Sequence, residues 1–163
     1  MARLLVDEDQ ARSPDVDQFV LTEWIETAPF EDLLGLEIKG AANGEAVLTL
    51  DYRVKHANGG GMMHGGALVA LADTAVAMAI KSLLPGGTVF ATTELNMKFE
   101  APVNSGQVCA LARVSGPEGR SFFGSAELID QEAQRIACFS CGCRIARGQG
   151  FFDDEDTDID PKA

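Results

Sequence analysis

Positive charge is scarce in this chain: 13 lysines and arginines stand against 25 aspartates and glutamates among 163 residues, a formal charge of −12. The excess is uneven. Residues 153–160 hold Asp153, Asp154, Glu155, Asp156, Asp158 and Asp160, and the first fifteen residues hold four acids against Arg3 and Arg12. Both ends therefore read as solvated, flexible acidic tails, 1–15 and 151–163, around one domain over 16–150. The body keeps a charge of about −5, which argues against nucleic acid as a partner. Histidine is nearly missing, with His56 and His64 alone, and the four cysteines do not make up a ligand set. On a strand, Cys141 and Cys143 would share a face while Cys138 takes the other, so no metal site is expected and Cys109 joins them as small, reduced residues. A charge-free apolar run of about eighteen residues is also lacking. The opening MARLLVDEDQ puts acids where a secretion signal needs an apolar core, so a cytoplasmic protein without a membrane partner is expected.

Nucleotide and serine-hydrolase motifs are missing as well. The glycine-rich stretch KHANGGGMMHGG lacks the lysine and hydroxyl residue of a Walker loop and the spacing of a dinucleotide fingerprint. No GxSxG occurs, and Ser82, Ser121 and Ser140 lie in ordinary helix or strand contexts.

What the chain does have is MMHGGALVALADTAVAMAIKSLL, Met62 to Leu84, which reads as a long and almost wholly apolar central helix. A helix without a polar face belongs inside a fold. Its single acid near the middle, Asp73, has Val69, Ala70, Val76 and Ala77 as helical neighbours. An ionised carboxylate there costs several kcal/mol unless hydrogen bonds or a wet cleft compensate. Either it is a catalytic base or it solvates a crevice. At the other end, Gly65 and Gly66 bare the unpaired N–H groups of the first helical turn, a ready oxyanion site. Gly65 and Asp73 are eight residues apart, roughly 12 Å along the axis. One small reacting group cannot touch both on one helix, so a composite site needs a second, antiparallel copy of the chain across a two-fold axis.

The remaining elements are short. A helix is expected from about Val16 to Thr27, capped by Asp15 or Asp17, with Phe19, Val20, Trp24 and Ile25 on one face. Pro29 opens a brief turn or helix, FEDLLG. LEIK and EAVLTLDY then form a hairpin around Asn43-Gly44. After the central helix, four more strands are expected in TVFATTELNMKF, QVCALARVS, RSFFGSAELID and RIACFSCGCRIA. They are separated by Pro102 with Asn104-Ser105-Gly106, by Gly116-Pro117-Glu118-Gly119 and by Asp130–Gln134. The fold class is α+β, an antiparallel sheet of about six strands wrapped around one helix.

The run Asn58-x5-His64-Gly65-Gly66-x6-Asp73, followed by Glu94-Leu95-Asn96-Met97 and Ala101-Pro102-Val103, resembles the hotdog-fold acyl-CoA thioesterases of the phenylacetate-degradation, PaaI-like group, over about Phe30 to Arg147. The resemblance implies hydrolysis of small aryl or short to medium acyl-CoA esters by a homodimer or dimer of dimers. It implies no cofactor, coenzyme A being part of the substrate. Gly65 would offer its N–H to the thioester oxygen, while Asp73 of the opposite subunit acts as nucleophile or general base. Asn58 would orient substrate or water, or else serve as a turn residue. His64 would hold the loop or bond near the carbonyl, or else only enter the helix. A polar residue on the following strand often assists the aspartate, and Thr92 falls there, although strict alternation puts it with Glu94, Asn96 and Lys98 on the outer face. Gly66 would contact substrate, and Lys98, Arg113, Arg120 and Arg144 are the candidates for the coenzyme phosphates. A hotdog enoyl-CoA hydratase and a non-catalytic acyl-CoA-binding dimer remain the alternatives.

Overall fold

The computed structural model describes residues 2–7, 9 and 17–150. Two-residue strands β1 (Arg3–Leu4) and β2 (Phe19–Val20) pair with each other, and α1 (Pro29–Leu34) follows. Then come β3 (Leu36–Ala42), β4 (Glu45–Asp51), a short 3-10 turn (Val54–His56), α2 (Gly65–Lys81), β5 (Phe90–Phe99), β6 (Gln107–Glu118), β7 (Ser121–Ile129) and β8 (Arg135–Ile145). The last six strands form one antiparallel sheet in the order β3-β4-β6-β7-β8-β5. Asn43 and Gly44, with φ of 53° and 78°, close the β3–β4 hairpin as a two-residue turn of this kind requires.

Alternation decides which face of the sheet meets the helix. In β7, Phe122, Gly124, Ala126 and Leu128 are buried, whereas Phe123, Ser125 and Glu127 are exposed. The core lies between that inner face and α2, whose Leu71, Ala72, Ala75, Val76, Ala79 and Ile80 are completely buried. The small side chains let helix and sheet approach closely. A Cβ on Gly124 would stand 2.2 Å from Val76 Cγ1, so this position accepts only glycine without movement. Gly124→Ala should therefore destabilise the fold by about 1–3 kcal/mol through overpacking, seen as a lower urea midpoint with little change in slope.

The helix crosses β4, β6 and β7 and leaves β5 at the free edge of the sheet. On the uncovered inner face of that edge strand, Leu95 is 48% and Phe99 51% exposed.

Two expectations change. The helix expected from Val16 to Thr27 is not found over its described part, Val16 lying outside the described residues: residues 19–20 are β2 and 22–28 are bends and coil, while the brief helix expected after Pro29 is α1. Val20, Thr22, Ile25 and Thr27 are β-branched and give little helical drive. Glu26 instead accepts from the Thr22 and Glu23 N–H groups (2.6 and 3.2 Å), and Trp24 Nε1 donates to Lys81 O (2.9 Å), tying this segment to the end of α2. Lys81 lies 4.8 Å from the Trp24 ring centre, and burial pushes its ammonium below the usual lysine range. α2 starts at Gly65, on the glycine pair after His64 as expected, with Met62 and Met63 in the preceding loop. Second, Gly116 and Pro117 do not separate strands. They sit in a register shift within β6, where a residue without an N–H is tolerated, and the turn is at Gly119–Arg120. Of the two expected tails, 151–163 lies outside the described residues, and Arg3–Leu4 in the first pairs with β2.

Candidate active site

The loop before α2 is built by Asn58. Its Oδ1 accepts from Gly60 N (2.8 Å) and Met62 N (3.3 Å), and its backbone N–H donates to Met62 O (2.7 Å). The carbonyl side of the amide thus holds the loop, which leaves Nδ2 for whatever enters. His64 is the N-cap of α2. With φ −62° and ψ 136° it turns its Nδ1 to accept from Gly66 N at 2.8 Å. The Gly66 N–H is consequently committed to the cap. Among the described residues, no acceptor meets the Gly65 N–H.

Gly65 opens onto a groove of about 390 Å³ lined by Asn58, Met62, Leu68, Phe99, Pro102 and Val103, among others. A Cβ at Gly65 would stand 3.0 Å from Phe99 Cζ. Phe99 thus walls the approach to the free N–H, a role that sequence reasoning missed. The sign was present only as an apolar residue near the end of the strand that carries Thr92.

Asp73 is half-buried on the stretch of α2 with no polar helical neighbour. Its partner comes from the sheet: Thr92 Oγ1 donates to Asp73 Oδ1 at 2.8 Å. Simple alternation placed Thr92 outward with Glu94, Asn96 and Lys98, and this is overturned by a bulge. Thr92 pairs with Cys143 but Glu94 with Gly142, so Thr93 is the extra residue and the strand changes phase there. Before the bulge Thr92 faces the helix, and after it Leu95, Met97 and Phe99 do, while Glu94, Asn96 and Lys98 face out. Behind Thr92 lie Cys143 Sγ, 3.7 Å from its hydroxyl, and Cys141 Sγ, 3.8 Å further on. The bond to Cys143, with burial, pushes Cys141 far above the usual thiol range, and the same bond draws Cys143 below it. As the alternation required, Cys138 lies on the opposite face, and no metal-holding cluster occurs among the described residues.

The basic residues do not gather at this site. Lys98 (on Glu100, 3.6 Å) and Arg113 (on Glu45, 3.2 Å) point out from the face opposite α2, and Arg144 stands on the same side. Arg120, at the β6–β7 turn, donates to Ile145 O (3.1 Å). No helix is long and apolar enough to cross a membrane among the described residues.

A six-stranded antiparallel sheet curled on one long helix, with an unpaired N–H at the start of that helix and a sheet-held carboxylate two turns on, defines a hotdog-fold enzyme. Residues 60–137 match the family described as thioesterase superfamily. The chain is 32% identical over 117 residues to the 1,4-dihydroxy-2-naphthoyl-CoA hydrolase of Listeria monocytogenes, covering 71% of this chain and 93% of that protein. Its structure resembles the E. coli PaaI protein from the phenylacetic acid degradation operon (TM-score 0.68, 26% identity, 75% of this chain and 87% of that one). It also resembles a point mutant of the phenylacetic acid degradation protein PaaI from Thermus thermophilus (TM-score 0.65, 30% identity, 72% and 98%). The chain belongs to the thioesterase superfamily and is a PaaI-like thioester hydrolase.

Proposed function

We propose that the protein hydrolyses acyl-CoA thioesters with small aryl or short to medium acyl groups, and that each site joins Gly65 of one protomer to Asp73 of its partner. The observation that carries this is the pair of unlike, separately prepared groups: a Gly65 N–H without an acceptor and an Asp73 carboxylate held by Thr92. Roughly 12 Å of helix separates them, too far for one carbonyl. The free edge strand β5, with Leu95 and Phe99 exposed beside the helix, offers the surface along which a second copy would bring them together.

In this reading the thioester carbonyl oxygen takes the Gly65 N–H, and charge building on that oxygen is stabilised at the positive end of α2. Asp73 either attacks the carbonyl carbon itself or takes a proton from the water that does. The C–S bond then breaks and the coenzyme leaves as thiolate and is protonated; attack by water gives the free acid directly, whereas attack by Asp73 gives an acyl–aspartyl anhydride that a water molecule then hydrolyses to the free acid and the Asp73 carboxylate. A thiolate leaves readily, so polarisation and an oxygen nucleophile are sufficient chemistry without a cofactor. Asn58 Nδ2 and His64 Nε2 border the reacting carbonyl, while Asn58 Oδ1 and His64 Nδ1 keep the loop in shape. The coenzyme phosphates would meet Lys98, Arg113 or Arg144 only by crossing to the other side of the sheet, and Arg120 only at the β6–β7 turn, within a dimer or dimer of dimers.

Thiol release from a panel of acyl-CoA esters, followed for wild type and Asp73→Asn, tests the reading. The expected result is turnover by the wild type and binding without turnover by Asp73→Asn. Hydration of an enoyl-CoA without thiol release would favour the hydratase alternative. Binding without thiol release by both proteins would leave an acyl-CoA-binding dimer.

A further inference from the structure

Thr92 has one hydroxyl proton, and Asp73 Oδ1 takes it at 2.8 Å. The contact between Thr92 Oγ1 and Cys143 Sγ (3.7 Å) is then a bond in which sulfur donates and the hydroxyl accepts. Cys143 has spent its own proton in that direction, so the 3.8 Å contact with Cys141 runs from the Cys141 S–H to Cys143 Sγ. The three contacts form a chain that donates one way, from Cys141 through Cys143 and Thr92 to the carboxylate of Asp73. Bonds in such a chain polarise one another, and a buried setting strengthens them.

The backbone gives this support a place. Thr92 is the last residue before the β5 bulge, where the ladder with β8 slips by one residue and is locally disrupted. Cys143, its cross-strand partner, is anchored from the other side: it is also paired with Phe122 of β7, and both are buried in the core. Sulfur therefore presents a fixed second point behind a hydroxyl whose first point is Asp73.

We propose that Cys143 is a positioning residue for the hydrolysis: it holds the Thr92 hydroxyl toward Asp73 and so keeps the carboxylate aimed at the thioester. This rests on reading Asp73 as the group that attacks or activates water.

A double-mutant cycle with Thr92 tests it. Cys143→Ala should lower kcat about threefold to tenfold with KM changed by less than about twofold, since a substrate-independent contact is lost. Cys143→Ser, which retains a donor on the same Cβ, should recover part of the loss. Cys141→Ala removes an equal volume from the same strand and only the bond behind Cys143, leaving the Cys143–Thr92 contact in place, so its loss should be clearly smaller than that of Cys143→Ala. In a Thr92→Val background, Cys143→Ala should add less than about twofold, because the hydroxyl it acts through is gone. Equal losses in Cys141→Ala and Cys143→Ala would make the effect one of packing and overturn the proposal, as would a full multiplicative loss on top of Thr92→Val. A crystal structure of Cys143→Ala gives a readout independent of turnover: Thr92 should split between rotamers or move off Asp73. An unmoved Thr92 with a single rotamer overturns the proposal even if the wild type proves inactive on every thioester, an outcome that by itself would count against the reading of Asp73.

Discussion

Replacing Asp73 by alanine should reduce kcat for thioester hydrolysis by a hundredfold or more, within the ~10²–10⁴ expected from loss of a positioned base or nucleophile. The expectation follows from where the side chain is. Asp73 is the only acid of α2, it is half-buried, and a sheet hydroxyl holds one of its oxygens 2.8 Å away while no hydrogen bond meets the other among the described residues. A carboxylate in that position is costly, because it loses water on one side and has, among the described residues, a single neutral donor in return. Asp73→Asn removes the charge and keeps the shape, so it should fold, accept acyl-CoA and fail to turn it over. Thr92→Val should cost less than either, with kcat down by about tenfold, since the carboxylate remains but one constraint on it is gone. Steady-state kinetics on a substrate that the wild type hydrolyses, together with thermal melting of each variant, separates these effects from loss of fold. If Asp73→Ala keeps more than about a tenth of wild-type kcat, another group carries the reaction.

How far these residues could be read beforehand depended on whether their signal was local. The central helix was legible because a long apolar run between glycine punctuation has few other uses, and the β3–β4 hairpin because Asn43-Gly44 needs two left-handed residues in succession. Gly65 stood out for the same reason, as a side-chain-free residue at a helix start. Its distinction from Gly66 came only through the resemblance, because physically it depends on the rotamer that brings His64 Nδ1 onto the Gly66 N–H. Thr92 shows the limit most clearly. Period-two alternation is a rule for unbroken strands, and one inserted residue at Thr93 reverses it for everything on one side. Nothing in FATTELNMKF marks the insertion. The expected helix over 16–27 failed for a related reason: an apolar face at helical spacing was present, but long-range bonds from Trp24 to Lys81 O and local ones from Glu26 competed with it. Phe99 and Cys143 acquired their places only through cross-strand register and the approach of the helix.

Mixing two inactive variants should restore activity, and this is the most demanding consequence of a site shared between protomers. Gly65→Pro removes the N–H from the oxyanion position, and Asp73→Ala removes the carboxylate. In a mixed dimer, one of the two sites combines the intact Gly65 of the second variant with the intact Asp73 of the first. Random exchange of equal amounts gives about half mixed dimers, so specific activity should reach about a quarter of wild type. The structure makes proline a suitable choice. Gly65 is the first residue of α2, where proline is well accommodated, and His64 before it already has the extended ψ of 136° that proline demands of its predecessor. The added ring does press on Phe99, since a Cβ there stands 3.0 Å from Phe99 Cζ. Gly65→Ala supplies the control, because it crowds Phe99 in the same way and keeps the N–H. Alanine should then cost less than proline, whose loss of the donor alone is worth about 10²–10³ in kcat. Circular dichroism and melting would confirm that each variant is folded, and native mass spectrometry with one variant isotopically labelled would confirm exchange. Folded variants that exchange subunits without recovering activity would place Gly65 and Asp73 in sites that do not cross the two-fold axis. The roughly 12 Å of helix between them would then have to be bridged by the substrate itself.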